Sequence, residues 1–254
     1  MKKVLAIACA LLTAAAVPAA EIKVVTSGAF TAAYLQLVPE YERATHHKLV
    51  TEFGPSMGTT HNAIPLRLER GEAIDVVIMA APALANLIKQ GKVRDGSRVD
   101  LVQSLIGLAV KAGAPKPDIG TVDALKRTLL AAKSIAYSDS ASGVYLSTEL
   151  FPKLGIAGQI KGKSRKIEAN PVGEAVARGD IEIGFQQISE LRPVKGIDIV
   201  GPLPPGAQKV TVFAAAIPAT SQQPEAAKAL IEWLASPAAY TAIQKSGLEP
   251  AKSR

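Results

Sequence analysis

Glu21-Ile22-Lys23-Val24-Val25-Thr26-Ser27-Gly28-Ala29-Phe30 is the stretch that decides the fold. Ile22 to Val25 read as a short strand and Thr26 to Gly28 as a loop. From Phe30 to about Ala44 a helix follows, with Leu35, Val38 and Tyr41 at helical spacing. The unit then recurs. Residues 48–53 form a strand, 54–58 a loop and 59–70 a helix; residues 75–79 form a buried strand, and Pro82 opens a helix that ends near Gln90. Such alternation implies parallel pairing with helices on the sheet faces, an α/β protein.

Further along, residues 105–110 form an apolar strand suited to crossing between two halves. A helix at 122–131, a strand at 134–137 and the polar loop Ser138-Asp139-Ser140-Ala141-Ser142-Gly143 come next, followed by a helix over 144–154. Strands at 166–168 and 181–185 bracket a short helix at 172–178. A strand at 197–200 leads through a Pro-rich turn to a long returning strand at 210–217 and two terminal helices. Neither an internal repeat nor a low-complexity linker divides the chain, so the pattern implies two interwoven lobes.

The N-terminus reads as an export signal. Met1-Lys2-Lys3 is positive, residues 4–17 are almost wholly apolar, and Val17-Pro18-Ala19-Ala20 is a small-residue exit. Cleavage is expected after Ala19 or Ala20, placing the mature protein in the periplasm. The single cysteine, Cys9, lies within the signal, so the mature chain holds neither disulfide nor thiolate metal site. The formal charge of +7 falls to +5 when Lys2 and Lys3 leave. That balance is compatible with an anionic ligand. Nucleic-acid binding is not expected, since the densest basic run, Lys161-Gly162-Lys163-Ser164-Arg165-Lys166, has no interleaved aromatics. No later apolar stretch approaches the roughly 20 residues that span a bilayer.

These segments resemble the periplasmic substrate-binding proteins of ABC transporters, in particular the molybdate-binding-like branch of the two-lobed type II fold. The resemblance rests on residues 24–34, on Phe53-Gly54-Pro55-Ser56 and on Gly71-Glu72-Ala73-Ile74-Asp75-Val76. It continues in Ser140-Ala141-Ser142-Gly143-Val144-Tyr145, in Gly179-Asp180-Ile181-Glu182-Ile183-Gly184 and in the tail helix 226–237. It implies two lobes, each a mostly parallel sheet flanked by helices, joined by a two-strand hinge. Lobe one would comprise residues 21–106 and 210–254, lobe two residues 107–209, with residues 1–20 removed. It further implies a non-enzymatic, monomeric receptor without cofactor that delivers a small anion to an inner-membrane ABC permease.

In open α/β sheets, ligands bind beyond the carboxyl ends of strands, where helix N-termini attract anions. Three loops there are rich in hydroxyls: Thr26-Ser27-Gly28, Ser56-Met57-Gly58-Thr59-Thr60 and residues 138–143. Each hydroxyl can equally cap a helix. Aligned with the family, Ala29 stands where molybdate binders carry a serine, and Ser56 matches the second serine. Ser142 and Val172 fall at backbone-donor positions, and Gln187 replaces a tyrosine. The expected ligand shell is Thr26, Ser27, Ala29, Ser56, Gly58, Thr59, Thr60 and His61 from one lobe. The other lobe supplies Ser140, Ser142, Gly143, Val172, Gln186 and Gln187. The two exchanges tilt the ligand from molybdate towards an organic acid, with Arg67 or Arg192 as cations able to reach in.

Gly54-Pro55-Ser56-Met57-Gly58 also satisfies the G-x-S-x-G elbow, so a secreted serine hydrolase using Ser56 is the alternative. Its histidine base must come late in the chain, whereas His46, His47 and His61 all come early, and the triad fails on order. A sensor of the same fold is a third reading. His46-His47 do not converge on one metal ion, being adjacent, and no metal site is expected.

Overall fold

The computed structural model describes residues 19–168 and 170–251. The export signal and Cys9 lie outside the described residues, save for Ala19 and Ala20 at the cleavage point. The strands are β1 (Glu21–Thr26), β2 (Lys48–Phe53), β3 (Val76–Ala80), β4 (Val99–Ser104), β5 (Ile106–Lys111) and β6 (Ile135–Ser138). They continue as β7 (Ser164–Ile167), β8 (Ile183–Gln187), β9 (Ile197–Pro202), β10 (Thr211–Ala216) and β11 (Glu249–Pro250). The helices are α1 (Gly28–Thr45), α2 (Ile64–Glu69), α3 (Ala81–Lys89), α4 (Val122–Ala131), α5 (Ala141–Tyr145) and α6 (Phe151–Lys153). After them come α7 (Ala157–Ile160), α8 (Val172–Arg178), α9 (Ile188–Leu191), α10 (Pro224–Leu234) and α11 (Tyr240–Lys245).

Two sheets form, in the orders β11-β4-β10-β3-β1-β2 and β7-β6-β8-β5-β9. The α/β architecture is as expected, with one correction: both sheets are mixed rather than mostly parallel. Parallel pairing is confined to β2-β1-β3 and β7-β6-β8, where helical crossovers return the chain to the same edge. Strands β4, β5, β9, β10 and β11 pair antiparallel because the chain enters and leaves each sheet there. One residue, Leu105, separates β4 in the first sheet from β5 in the second, and residues 203–210 carry the chain back.

Both faces of the sheets are covered, which explains the unbroken apolar strands. In β3, Val76, Ile78 and Ala80 join the core beneath α1 and α10, while Val77 and Met79 face the other core with Leu84 and Leu87 of α3. Period-two alternation in a doubly covered strand puts apolar residues at every position. In the second sheet Ile106, Leu108, Ile135, Ile183 and Phe185 pack on one side, and Ala136 packs with Val172 and Val176 of α8 on the other.

Asp75 pins the returning segment to the first sheet. Its Oδ2 accepts the Lys23 N–H at 2.9 Å, and its Oδ1 accepts the Ser221 hydroxyl and the Gln222 and Gln223 N–H groups at 2.8–3.0 Å. The last three donors precede α10, so the carboxylate fixes the turn that leads into that helix. The histidine pair is structural as well. His46 ends α1 in a left-handed conformation at φ 60°, and His47 Nδ1 accepts the Ala20 N–H at 3.0 Å.

Candidate functional site

A cavity of about 400 Å³ opens between the two sheets, at the carboxyl ends of β1, β2, β6 and β8. Gly28, Thr31, Gly54 and Asn62 line it from one side, and Ser138, Asp139, Ser140, Gln186, Ser189 and Glu190 from the other. A second cavity of about 10 Å³, with room for one water-sized group, lies deeper among Ser27, Ala29, Ser142, Gln187 and Phe213. Gly28, Ser140 and Glu190 border both.

The hydroxyl loops meet here as strand-to-helix turns. Ser27 is the N-cap residue of α1 and is buried, yet its Oγ makes no capping bond and has no hydrogen-bond partner. Ser189 Oγ and Gln187 Oε1 are likewise buried without partners, while Gln187 Nε2 donates to Thr211 Oγ1 at 3.3 Å. Buried polar atoms are almost always paired in folded proteins, and leaving one unpaired costs about 1–3 kcal/mol. Three such atoms on the rim and floor of one cleft mark a surface shaped for a polar ligand.

Other expected site residues are engaged elsewhere. Ser56 Oγ accepts the Ala80 N–H at 2.9 Å and is fully buried, so it ties its loop to the end of β3. That bond and the exposed turn position of His61 leave the G-x-S-x-G elbow without a paired base. Gly58 and Thr59 are exposed, and Thr60 ends in a turn with its Oγ1 unpaired. The helix expected over 59–70 begins only at Ile64, since Ser56–Asn62 are bends and turns. Gly58, at φ +100°, still brings its loop near the opposite side, where a Cβ would lie 3.5 Å from Asp139 Oδ2.

Thr26 is buried, and its hydroxyl reaches the Ser27 carbonyl at 3.3 Å. Ser142 Oγ and Ser138 Oγ bond each other at 3.0 Å. Gly143 is a packing residue: any Cβ there would collide with the Ser138 carbonyl. The Val172 N–H donates to Gln186 Oε1 at 2.9 Å and is therefore not a free donor. Neither candidate arginine enters the cleft. Arg67 is held by Glu52 and Glu72, and Arg192 donates to the Lys245 carbonyl at 3.1 Å.

Glu190 is the residue that sequence reasoning missed. It is the third residue of the four-residue α9, and its carboxyl accepts the backbone N–H of Gln187, the residue before that helix. This is the glutamate half of a capping box, and its Gln187-to-Glu190 spacing was the available signal. Gln186 completes the hold. Its Oε1 is fixed by the Val172 N–H, which turns its NH₂ to donate to Glu190. The carboxyl presses onto Gly28 at the start of the 18-residue α1, where a Cβ would overlap Oε1. Burial pushes its pKa from 4.5 up to about 7; the bonds from Gln186 and Gln187 oppose that rise, and Asp139 adds to it.

Among the described residues the main cavity is lined by no lysine, arginine or histidine, and Asp139 and Glu190 are its titratable groups; an adjoining depression of about 510 Å³, which Glu190 also borders, carries Arg178 and Lys195. Neutral hydroxyls, amides and the α1 N-terminus are what the main cavity offers an anion. Among the described residues no cluster of three or more histidine, cysteine, aspartate or glutamate side chains can hold a metal ion. No described helix is long and apolar enough to cross a membrane.

Comparison with known proteins places this geometry in context. The chain is 52% identical over 236 residues to an aconitate isomerase from a Pseudomonas species, covering 93% of this chain and 90% of that protein. It is 29% identical over 248 residues to the molybdate-binding protein of Azotobacter vinelandii, covering 93% and 92%. Among solved structures, the periplasmic molybdate-binding protein of A. vinelandii superposes with a TM-score of 0.71 at 22% identity, over 92% of this chain and all of that one. The substrate-binding domain of a molybdenum ABC transporter from Clostridium difficile gives 0.68 at 19%, again over 92% and the whole of its chain. The isomerase relative overturns the expectation of a non-enzymatic receptor, because the similarity to a protein named as an enzyme runs through both lengths. The model of the bacterial extracellular solute-binding proteins matches residues 22–249, and the chain belongs to that family.

Proposed function

We propose that this protein is an exported isomerase of an unsaturated tricarboxylate, aconitate, which it encloses in the cleft between two lobes. The observation that carries this reading is the two unpaired buried hydroxyls, Ser27 Oγ and Ser189 Oγ, at cavities whose described lining carries no cation. The 52% identical relative supplies the substrate class. A cavity of about 400 Å³ lies within the range of pockets for small organic ligands and exceeds what a compact tetrahedral oxyanion fills. Neutral donors suit a substrate whose carboxylates must also be released.

The chemistry requires no cofactor. Loss of a proton from the substrate's methylene carbon leaves an allylic anion delocalised towards the neighbouring carboxylate. Return of a proton to the far allylic carbon moves the double bond, and the new alkene can take the other geometry. A water-excluding cleft with fixed dipoles stabilises the transient charge. Closure would occur between lobe one (21–106 and 210–254) and lobe two (107–209). The Gln208 side chain supports a hinge there, since it accepts the Ile106 N–H at 3.0 Å and donates to the Ile106 carbonyl at 2.9 Å. This pair of hydrogen bonds ties the two crossings together. The family supports a periplasmic setting, consistent with the signal-like N-terminus.

A second reading, delivery of an anion to an ABC permease, is favoured by the family and by the molybdate-binding relative. A thermal-shift panel combined with a turnover assay separates the two. We expect stabilisation by tricarboxylates, about 2.7 kcal/mol at 100 times the dissociation constant, together with interconversion of cis- and trans-aconitate. Stabilisation by molybdate alone, without turnover, would support the receptor and overturn the isomerase.

A further inference from the structure

We propose that Glu190 is the catalytic base of this site, taking the proton from the substrate's methylene carbon and returning it to the far allylic carbon. The assignment rests on the isomerase reading and adds the residue that performs it. The C–H electron pair passes into the allylic system as the carboxylate becomes a carboxylic acid. That acid then gives its proton to the carbon at the other end. No oxidant, reductant or second substrate enters, and the carboxylate is regenerated.

Three independent features single out this carboxyl. It borders both cavities and so lies within reach of a ligand that fills them. Its position is fixed from two sides, by the Gln186 amide that Val172 orients and by the Gln187 N–H. A base held in one place needs little reorganisation when the proton moves. Third, Gly28 leaves the space that the carboxyl occupies, at the N-terminus of α1. A capping glutamate alone would serve its four-residue helix equally well from solvent; this one is pressed between two sheets, against a helix of the opposite lobe. Burial there makes it a stronger base than an ordinary carboxylate, close to the value that serves proton transfer at neutral pH. Asp139 lies on the same side of the cleft and raises its pKa, and Glu174, Arg178 and Lys195 ring a depression that Glu190 also borders.

The test compares wild type, Glu190→Gln and Gly28→Ala in aconitate turnover, with substrate affinity measured separately by calorimetry. Glutamine keeps the size and the hydrogen-bonding capacity but carries no transferable basic site. We expect turnover to fall about 10²–10⁴-fold in Glu190→Gln, with the fold intact and affinity retained or improved. Wild-type kcat/KM should rise with pH to a plateau through an inflection near 7, and that inflection should vanish from any residual Glu190→Gln activity. Gly28→Ala, which displaces the carboxyl without touching its chemistry, should lose turnover as well. An active wild type whose Glu190→Gln variant keeps more than about a tenth of the rate, far above the loss of a general base, would overturn the assignment and leave the isomerase reading standing. A wild type that binds aconitate without converting it would overturn the reading, and the assignment with it.

Discussion

Replacing Glu190 by glutamine should change the pH dependence of stability, by an amount that follows from the burial of its carboxyl. In the folded protein the group titrates near 7, against an ordinary value of 4.5. Below about pH 4.5 both folded and unfolded chains carry the proton, and burial costs nothing. Between the two values the unfolded chain ionises while the folded one holds its proton, so stability falls as pH rises. Above about 7 the loss is complete. At about 1.4 kcal/mol per pKa unit, the rise to about 7 sets the total at about 3 kcal/mol, an upper bound because one side of the carboxyl faces the cleft. Glutamine has no such dependence. Urea denaturation of both proteins at about pH 4.5 and pH 8 should show the variant gaining about 2–3 kcal/mol relative to wild type at the higher pH. Titrating groups not coupled to Glu190 cancel in the difference. Equal differences at both pH values would refute the claim that this carboxyl is buried at a cost.

Three further outcomes follow from the hydrogen bonds of Gln186, Asp75 and Ser56. Gln186→Leu removes a donor to the charged form of Glu190, so the inflection in the pH–rate profile should move upward from about 7; an unmoved inflection would show that Gln186 does not position the base. Asp75→Ala strands the Lys23, Gln222 and Gln223 N–H groups and the Ser221 hydroxyl, and chemical denaturation should record a loss of more than about 3 kcal/mol. Ser56→Ala leaves the buried Ala80 N–H without its acceptor and should cost about 1–3 kcal/mol in the same measurement.

The two-sheet α/β plan was legible because strands covered on both faces, such as β3, are continuous apolar runs, and because the long helices carry a clear apolar stripe. Antiparallel pairing of β10 between β3 and β4 was not legible, since direction depends on where the chain re-enters the sheet. The edge-side strand β4 was overlooked: Asp100 and Gln103 interrupt its apolar residues, leaving no strong run. In the site, Ser27, Ser140 and Gln187 could be placed from their loops, because strand-to-helix turns set their depth. Glu190 could not. Within Ile188-Ser189-Glu190-Leu191 it reads as an ordinary solvated helix glutamate, and only the long-range approach of Gly28 and α1 buries it. Ser56 misled for the converse reason: a motif at the correct turn says nothing of which backbone N–H its hydroxyl will meet.

The isomerase claim is tested most directly by proton NMR of aconitate incubated with the purified protein in D₂O, without added cofactor, starting separately from the cis and the trans isomer. The account predicts that both reach the same mixture of isomers, and that Glu190→Gln slows the approach from either side. Spectra that stay at the starting isomer while the protein is folded would contradict it.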